Sequence, residues 1–355
     1  MKYTFAVIGA GNGGQVMAAH LTLLGHTVHL QDIDHEKIAK LQEKSEIKLE
    51  GKIEGTAKIS KITKELGEAI YGCDIIMVTT TTDQHIKLAN DLLPYINEKQ
   101  VIVLCPGQTG GAIVVHNVFQ NNGKSIPVAE MQDLIYTCRA IEPGKVKVTA
   151  IKQKMDFAGY CQEDYVRIIA MLKEIYPQLQ QAKSVLHTGF DNMGAILHPA
   201  PMLLNAGRIE SGEDFFYYTE GITPSIAAVL EKMDAERLAV AWAYGVEATS
   251  VFRWQKKTYS VEGDSLYELF QNNKSYAAVK ASKTLEDRYI TEDVPCGLVP
   301  IVELGRLAGV ATPTMKNVIE LAGILLSKDF RNNGRNLECL GLKGKTISEI
   351  KKMFL

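Results

Sequence analysis

The sequence predicts an α/β fold, with a doubly wound parallel sheet in the first half and an all-helical second half. Three observations predict it. Strand and helix signals alternate from the first residues onward, the early strands are almost continuously apolar, and strand signals give way to helical ones after about residue 185. Tyr3–Ile8 reads as the first strand. The helix-like stretch after it carries Met17, Ala18, Leu21 and Leu24, and Gly25 closes it. Thr27–Leu30 is the second strand and Asp34–Lys44 a charged helix. After a polar excursion, Asp74–Val78 and Val101–Leu104 are buried strands.

In the second half, helical patterns cover Met193–Ile209, Ser225–Tyr244, Leu266–Phe270, Leu298–Leu307 and Met315–Leu326. Thr223-Pro224 and Thr312-Pro313 each pair a cap with a first-turn proline. Glu231, Asp234 and Arg237 are expected on one solvated face of their helix. A chain of 355 residues exceeds one ordinary core, so the domains expected are 1–185 and 186–355.

Composition narrows the class of partner. Hydrophobic residues at 46% and charged residues at 23% describe an ordinary globular chain rather than a disordered one. A net charge of −2 gives no electrostatic case for nucleic acid or an anionic membrane, which leaves a small molecule as the partner. No stretch approaches roughly 18 uninterrupted apolar residues, and because a strand-like run begins almost at once no signal peptide is expected. Cys73, Cys105, Cys138, Cys161, Cys296 and Cys339 show no CxxC spacing. Reduced thiols in a cytoplasmic protein are therefore expected, with no metal site.

Gly9-Ala10-Gly11-Asn12-Gly13-Gly14 contains GxGxxG between the first strand and the first helix, the Rossmann-type setting for a dinucleotide. Gly9, Gly11, Asn12, Gly13 and Gly14 are the expected pyrophosphate-binding residues, lying at a helix N-terminus that favours phosphate. Asp32, at the end of the second strand, has the spacing of the acid that binds the adenine ribose, while Asp34 could instead cap the next helix. No arginine follows Asp32 to receive a 2′-phosphate, so NAD is expected over NADP. Thr79–Thr82 and the Pro106-Gly107-Gln108-Thr109-Gly110-Gly111 loop leave the carboxyl ends of later strands, where open sheets bind ligands. Pro106 and Gly107 join the cofactor set on that ground.

The candidate for the chemistry is His198, in His198-Pro199-Ala200-Pro201. Proline disfavours the α conformation at the preceding residue, so His198 either caps a new helix or stands at a kink. Either position lets its ring leave the helical register, and the first helices of a second domain commonly cover the nicotinamide. Asn205, two turns on, shares roughly the same face and is a candidate substrate ligand. Arg288, Glu292 and Asp293 precede a proline-ended turn and form a second candidate cluster, unless that turn is merely solvated.

These segments resemble the opine dehydrogenase family of octopine/nopaline type. The similarity runs nearly end to end and is most specific in HPAPMLLNAGRIE and EDVPCGLVP. The resemblance implies a helical domain like the C-terminal domain of 6-phosphogluconate dehydrogenase. It implies His198 as the catalytic histidine, Asp293 as the carboxylate that orients it, and Arg288 as a binder of a substrate carboxylate. It places a substrate-lining segment at Glu130 through Cys138. The implied reaction joins an α-keto acid to an amino acid as an imine, which reduced nicotinamide then reduces; a homodimer is the expected assembly. Met193, Tyr217, Tyr218 and Trp254 are candidates for an apolar amine pocket or for ordinary core. The rival reading is a ketopantoate or β-hydroxyacid reductase. Such enzymes use a lysine early in the second domain, where this chain offers His198, with Lys183 the closest lysine upstream. A third reading, a nucleotide sensor without chemistry, has no need of a proton-transfer pair.

Overall fold

Nearly uninterrupted apolar sequence gives the central strands, which are buried on both faces. The computed structural model describes residues 1–355 and divides into two compact units, Met1–Thr188 and Gly189–Leu355. The first contains twelve strands: β1 (Thr4–Ile8), β2 (Thr27–Gln31), β3 (Glu46–Gly51), β4 (Gly55–Lys58), β5 (Lys61–Thr63), β6 (Ile75–Val78), β7 (Val101–Leu104), β8 (Val128–Met131), β9 (Tyr136–Glu142), β10 (Lys145–Ile151), β11 (Met155–Gly159) and β12 (Leu179–Gln181).

Eight strands form one sheet in the order β12-β11-β8-β7-β6-β1-β2-β5. From β8 to β5 every pairing is parallel, as the apolar strands predict. The sheet then departs from that expectation, because β11 runs antiparallel to β8. Strand order reverses beside β1, whose neighbours are β2 and β6. This switch point puts the loop after β1 where open α/β sheets bind ligands.

The polar excursion is itself structured. Residues 46–51 (EIKLEG) and 145–151 (KVKVTAI) alternate polar and apolar, and their inward residues Ile47, Leu49, Val146 and Val148 are buried. They pair in a second sheet, β4-β3-β10-β9. Its inward residues share one core with the helix Asn12–Leu23, through Val16, Met17, Ala19 and Leu21.

The second unit is helical apart from an isolated bridge between Phe216 and Lys280. The expected Met193–Ile209 helix is divided into Met193–Leu197, Pro199–Leu204 and Ala206–Glu210. Pro199 and Pro201 cannot donate backbone hydrogen bonds, which breaks the ladder there.

The solvated face expected at 231–237 is a second correction. Glu231 is exposed, but Asp234 is buried and Arg237 wholly so. Six residues along a helix turn the side chain through about 120°, which carries Arg237 away from the exposed side of Glu231 to the buried side it shares with Asp234. Arg237 Nε donates to Asp234 Oδ1 at 3.0 Å, and Nη2 donates to the Thr249 carbonyl at 2.6 Å. Nη1 donates to the Phe190 carbonyl and lies 3.5 Å from Asp191. Asp234 and Asp191 in turn accept the backbone N–H groups of Val251 (2.8 Å) and Thr249 (2.7 Å). A desolvated charge network thus ties the long helix Pro224–Ala243 to two loops. No helix is long and apolar enough to cross a membrane.

Candidate active site

The glycine loop has the form a dinucleotide requires. Gly9 lies at φ +101, and a Cβ there would come within 3.0 Å of Thr80 N. A Cβ on Gly14 would lie 1.7 Å from the Gly9 carbonyl oxygen, so helix Asn12–Leu23 packs on the loop only because residue 14 has no side chain. Gly11 differs: nothing lies within 4 Å of its missing Cβ. That open face is where backbone could approach a pyrophosphate, so the loop fits the nucleotide it is expected to hold.

Around it, Thr79 Oγ1 donates to the carbonyls of Ile8 (3.0 Å) and Gly9 (2.9 Å). Asn12 accepts the Ala140 N–H of β9 at 2.9 Å through its side chain, leaving its place at the helix start to backbone chemistry. A Cβ on Gly13 would strike Leu134 at 2.7 Å, so Gly13 serves packing as well as approach. An alanine at residue 14 is expected to destabilise the first unit by about 1–3 kcal/mol. It is also expected to weaken NADH at least about tenfold, because pushing the helix start off the loop carries its N–H groups away from the pyrophosphate. Thermal unfolding and fluorescence titration measure both, and tight NADH binding by Gly14→Ala would contradict this account of the loop.

Asp32 holds the loop from the side. Its Oδ2 accepts the Ala10 N–H at 2.6 Å and the Lys37 ammonium at 3.1 Å, and its Oδ1 accepts the Asp34 N–H at 2.9 Å. Asp34 caps helix His35–Lys44 by accepting the Lys37 N–H at 3.0 Å, so only Asp32 faces the loop.

Pro106 and Gly107 follow β7, and the Gly107 N–H donates to the Met131 carbonyl at 3.1 Å. A Cβ on Gly107 would lie 2.1 Å from Glu130 Oε2. Glu130 is completely buried. Its carboxylate accepts the Ala112 N–H (2.8 Å), at the start of helix Gly111–Asn121, and the Thr188 hydroxyl (2.5 Å). Glu130 therefore caps a helix, a correction to the substrate-lining role implied for it. Farther along that segment, burial pushes the Cys138 thiol up to about 11, which keeps it protonated at neutral pH.

In the helical unit, His198 closes Met193–Leu197 and opens Pro199–Leu204, with φ −103 and ψ −53. Pro201 has no N–H for the carbonyl four residues back. The Tyr217 hydroxyl lies 3.2 Å from that Leu197 oxygen and 2.6 Å from the His198 oxygen, satisfying the break and fixing the kink. His198 Nδ1 is 2.7 Å from Asp293 Oδ2, and Asp293 is 1% exposed. A Cβ on Gly194 would lie 2.9 Å from Asp293 and 3.3 Å from the imidazole, so this pair also forms around a missing side chain. Asp293 leads directly into the π-helical turn Val294–Leu298, a distortion that recurs at functional sites.

The other ring nitrogen, Nε2, is 3.4 Å from the Tyr218 hydroxyl. Tyr289 stacks on the imidazole at 3.9 Å between centroids and 7° between planes. Burial and the neighbouring Tyr289 hold the Tyr218 phenol well above its ordinary range, so its oxygen stays protonated. Stacking then runs outward from Tyr218 to Tyr276 at 4.0 Å, Tyr276 meets Tyr259 at 5.0 Å, and Tyr259 meets Trp254 edge-on at 5.5 Å. Of the pocket candidates, Tyr217 and Tyr218 border the histidine and Trp254 ends this chain, whereas Met193 is buried at a helix start. Tyr289 was missed in sequence. It lies next to Arg288, but only its stacking on the ring reveals a role.

Arg288 remains half-exposed, with Nη1 3.5 Å from the buried Glu292 carboxylate and the guanidinium 5.4 Å from the centre of the Tyr289 ring. It can take an incoming carboxylate. Asn205 departs from expectation: both amide hydrogens are committed, to the carbonyls of Pro201 (2.8 Å) and Gly221 (2.9 Å). It clasps the break between two short helices, which is a structural role.

Comparison with known proteins places this arrangement. Residues 181–326 match the family model described as NAD/NADP octopine/nopaline dehydrogenase, alpha-helical domain. An opine dehydrogenase of Arthrobacter sp. (strain 1C) is 40% identical over 350 residues, covering 98% of each chain. The chain belongs to the opine dehydrogenase family. Family membership makes it an NAD-dependent oxidoreductase acting on CH–NH bonds. More distant relatives include a vitopine synthase of Allorhizobium ampelinum, 28% identical over 80% of this chain and 79% of that one. A solved octopine dehydrogenase with NADH and L-arginine shares the fold, with TM-score 0.81 and 21% identity over 98% of this chain and 97% of that one. Residues 5–128 match the model described as Ketopantoate reductase PanE/ApbA. A solved ketopantoate reductase from Ralstonia eutropha shares the fold, with TM-score 0.63 and 14% identity over 92% of this chain and 99% of that one. The rival's sequence likeness therefore lies in the dinucleotide-binding half, while its fold likeness spans both.

Proposed function

We propose that the chain catalyses the NADH-dependent reductive condensation of an α-keto acid such as pyruvate with the amino group of an amino acid. The product is an N-(1-carboxyalkyl) amino acid, and the reverse reaction uses the same groups. The observation that carries this reading is the His198–Asp293 pair at 2.7 Å in the helical unit, with a half-exposed arginine five residues before the aspartate. Solved octopine dehydrogenase has been captured with NADH and pyruvate and with NADH and agmatine, which agrees with such substrates.

The nicotinamide, when bound, supplies the hydride. Gly9, Gly11 and the start of helix Asn12–Leu23 would hold its pyrophosphate, and Asp32 its adenine ribose. His198 takes a proton from the amino acid's ammonium group, giving the neutral amine that attacks the keto carbon. It returns a proton as water leaves and the imine forms. Asp293 fixes Nδ1–H, turns Nε2 toward the reacting groups and stabilises the imidazolium. Arg288 binds a substrate carboxylate and so positions the carbon that is reduced. Asp32, with no neighbouring arginine, supports NAD as the preferred cofactor. The cytoplasm and a homodimeric state complete the proposal.

NADH oxidation with pyruvate alone, amino acids alone, and both together tests the reading. Turnover is expected only when both are present. Oxidation with the keto acid alone would favour the rival reductase, and no oxidation with any pair would favour a sensor. Arg288→Lys is expected to raise KM for the keto acid by about 10-fold or more, because lysine cannot form the planar two-point contact. An unchanged KM in that variant would remove Arg288 from the carboxylate site.

A further inference from the structure

We infer that Lys37 sets the nucleotide selectivity of this chain, by offsetting the charge of Asp32 and supplying a cation for a 2′-phosphate. The inference rests on the proposed dinucleotide site and concerns a residue not assigned there. An acid at the end of β2 rejects NADPH chiefly because its charge repels the extra phosphate. Here that charge is not isolated. The Lys37 ammonium lies 3.1 Å from Asp32 Oδ2 and 3.5 Å from Asp34 Oδ2.

Lys37 stands one turn into helix His35–Lys44, whose start directly follows β2 and Asp32. Its side chain is 28% exposed and that of Asp32 only 11%. The ammonium therefore lies nearer water, on a flexible stem that can shift by an ångström or two toward an incoming anion. The Asp32 carboxylate, by contrast, is held by the backbone N–H groups of Ala10 (2.6 Å) and Asp34 (2.9 Å) and cannot turn away. A fixed acid beside a movable base gives weaker discrimination than the acid alone. A hydroxylated ribose meets the carboxylate, and a phosphorylated one meets the ammonium. The chain is accordingly expected to bind NADPH measurably, although less tightly than NADH.

Fluorescence titration of the full chain with NADH and NADPH, without substrate, tests this. Lys37→Gln is expected to weaken NADPH by about fivefold or more and NADH by less than about twofold, since one close charge pair near the surface is at stake. Asp32→Ser is expected to reverse the preference, and Asp32→Ser with Lys37→Gln to lose the NADPH gain. The NADPH constant should also rise more steeply with salt than the NADH constant. Equal changes for both nucleotides in Lys37→Gln, or no change, would overturn the role of Lys37 while leaving the cofactor site intact. Failure of the unaltered chain to bind NADH would overturn both.

Discussion

Replacing His198 with alanine is expected to lower kcat by about 10²–10⁴-fold while leaving the dissociation constant of NADH nearly unchanged. The size follows from the loss of proton transfer at two steps, amine activation and departure of water. The unchanged binding follows because the residues proposed to hold the cofactor, Gly9, Gly11 and Asp32, lie in the first compact unit and His198 in the second. Asp293→Asn is expected to fall in the same direction, since an amide at 2.7 Å can present the wrong group to Nδ1 and does not stabilise the imidazolium. Steady-state kinetics with both substrates, alongside NADH titration, separates the two effects. A kcat within about threefold of the unaltered chain would exclude His198 as the acid/base. Loss of NADH binding would make it structural. Tyr218→Phe distinguishes ring packing from the hydroxyl at Nε2, because it keeps the stack on Tyr276 and removes only the oxygen.

The second large effect is on stability. Arg237→Met is expected to destabilise the helical unit by about 3–5 kcal/mol, because it leaves Asp234 buried without its cation and strips donors from the carbonyls of Thr249 and Phe190. Denaturant unfolding followed by tryptophan emission measures this, since Trp242 and Trp254 both lie in that unit. The double variant Arg237→Met with Asp234→Asn is expected to recover part of the loss, as the uncompensated charge is gone. A cost below about 1 kcal/mol for Arg237→Met would mean that water reaches the network.

The two family matches divide the chain as its chemistry does. The sequence of the dinucleotide-binding half matches the ketopantoate reductase model and that of the helical half the octopine/nopaline model, although a solved ketopantoate reductase shares the fold over 92% of this chain. Hydride delivery is the cofactor's property and can be common to both. What is reduced depends on which groups the second half presents, and the proposed one here is the imidazole of His198 paired with Asp293.

Much of this was legible in sequence. The glycine loop, Asp32 and the buried parallel strands each rest on local rules: a spacing, a turn, an unbroken apolar run. The second sheet was legible too, in the alternation of residues 46–51 and 145–151, but the density of charge there disguised the strands as loop. Asn205 misled because it shares a nominal helix face with His198, and the prolines break that helix before the shared face can form. The charges at 234 and 237 misled because burial of an ion pair depends on partners in distant loops, which helical periodicity does not encode.

By itself, then, the sequence determined the dinucleotide fold of the first half and the helical nature of the second, while it offered His198 only as a candidate that the family resemblance singled out. The first two follow from backbone conformation and short-range spacing. The resemblance implied that Asp293, 95 residues away, orients His198, but only the tertiary structure decided that it does so at Nδ1, that Tyr289 stacks on the ring, and that Lys37 sits on Asp32. Contacts of that kind depend on where whole elements cross. A missing Cβ at Gly194 permits one of them, and no local pattern announces it.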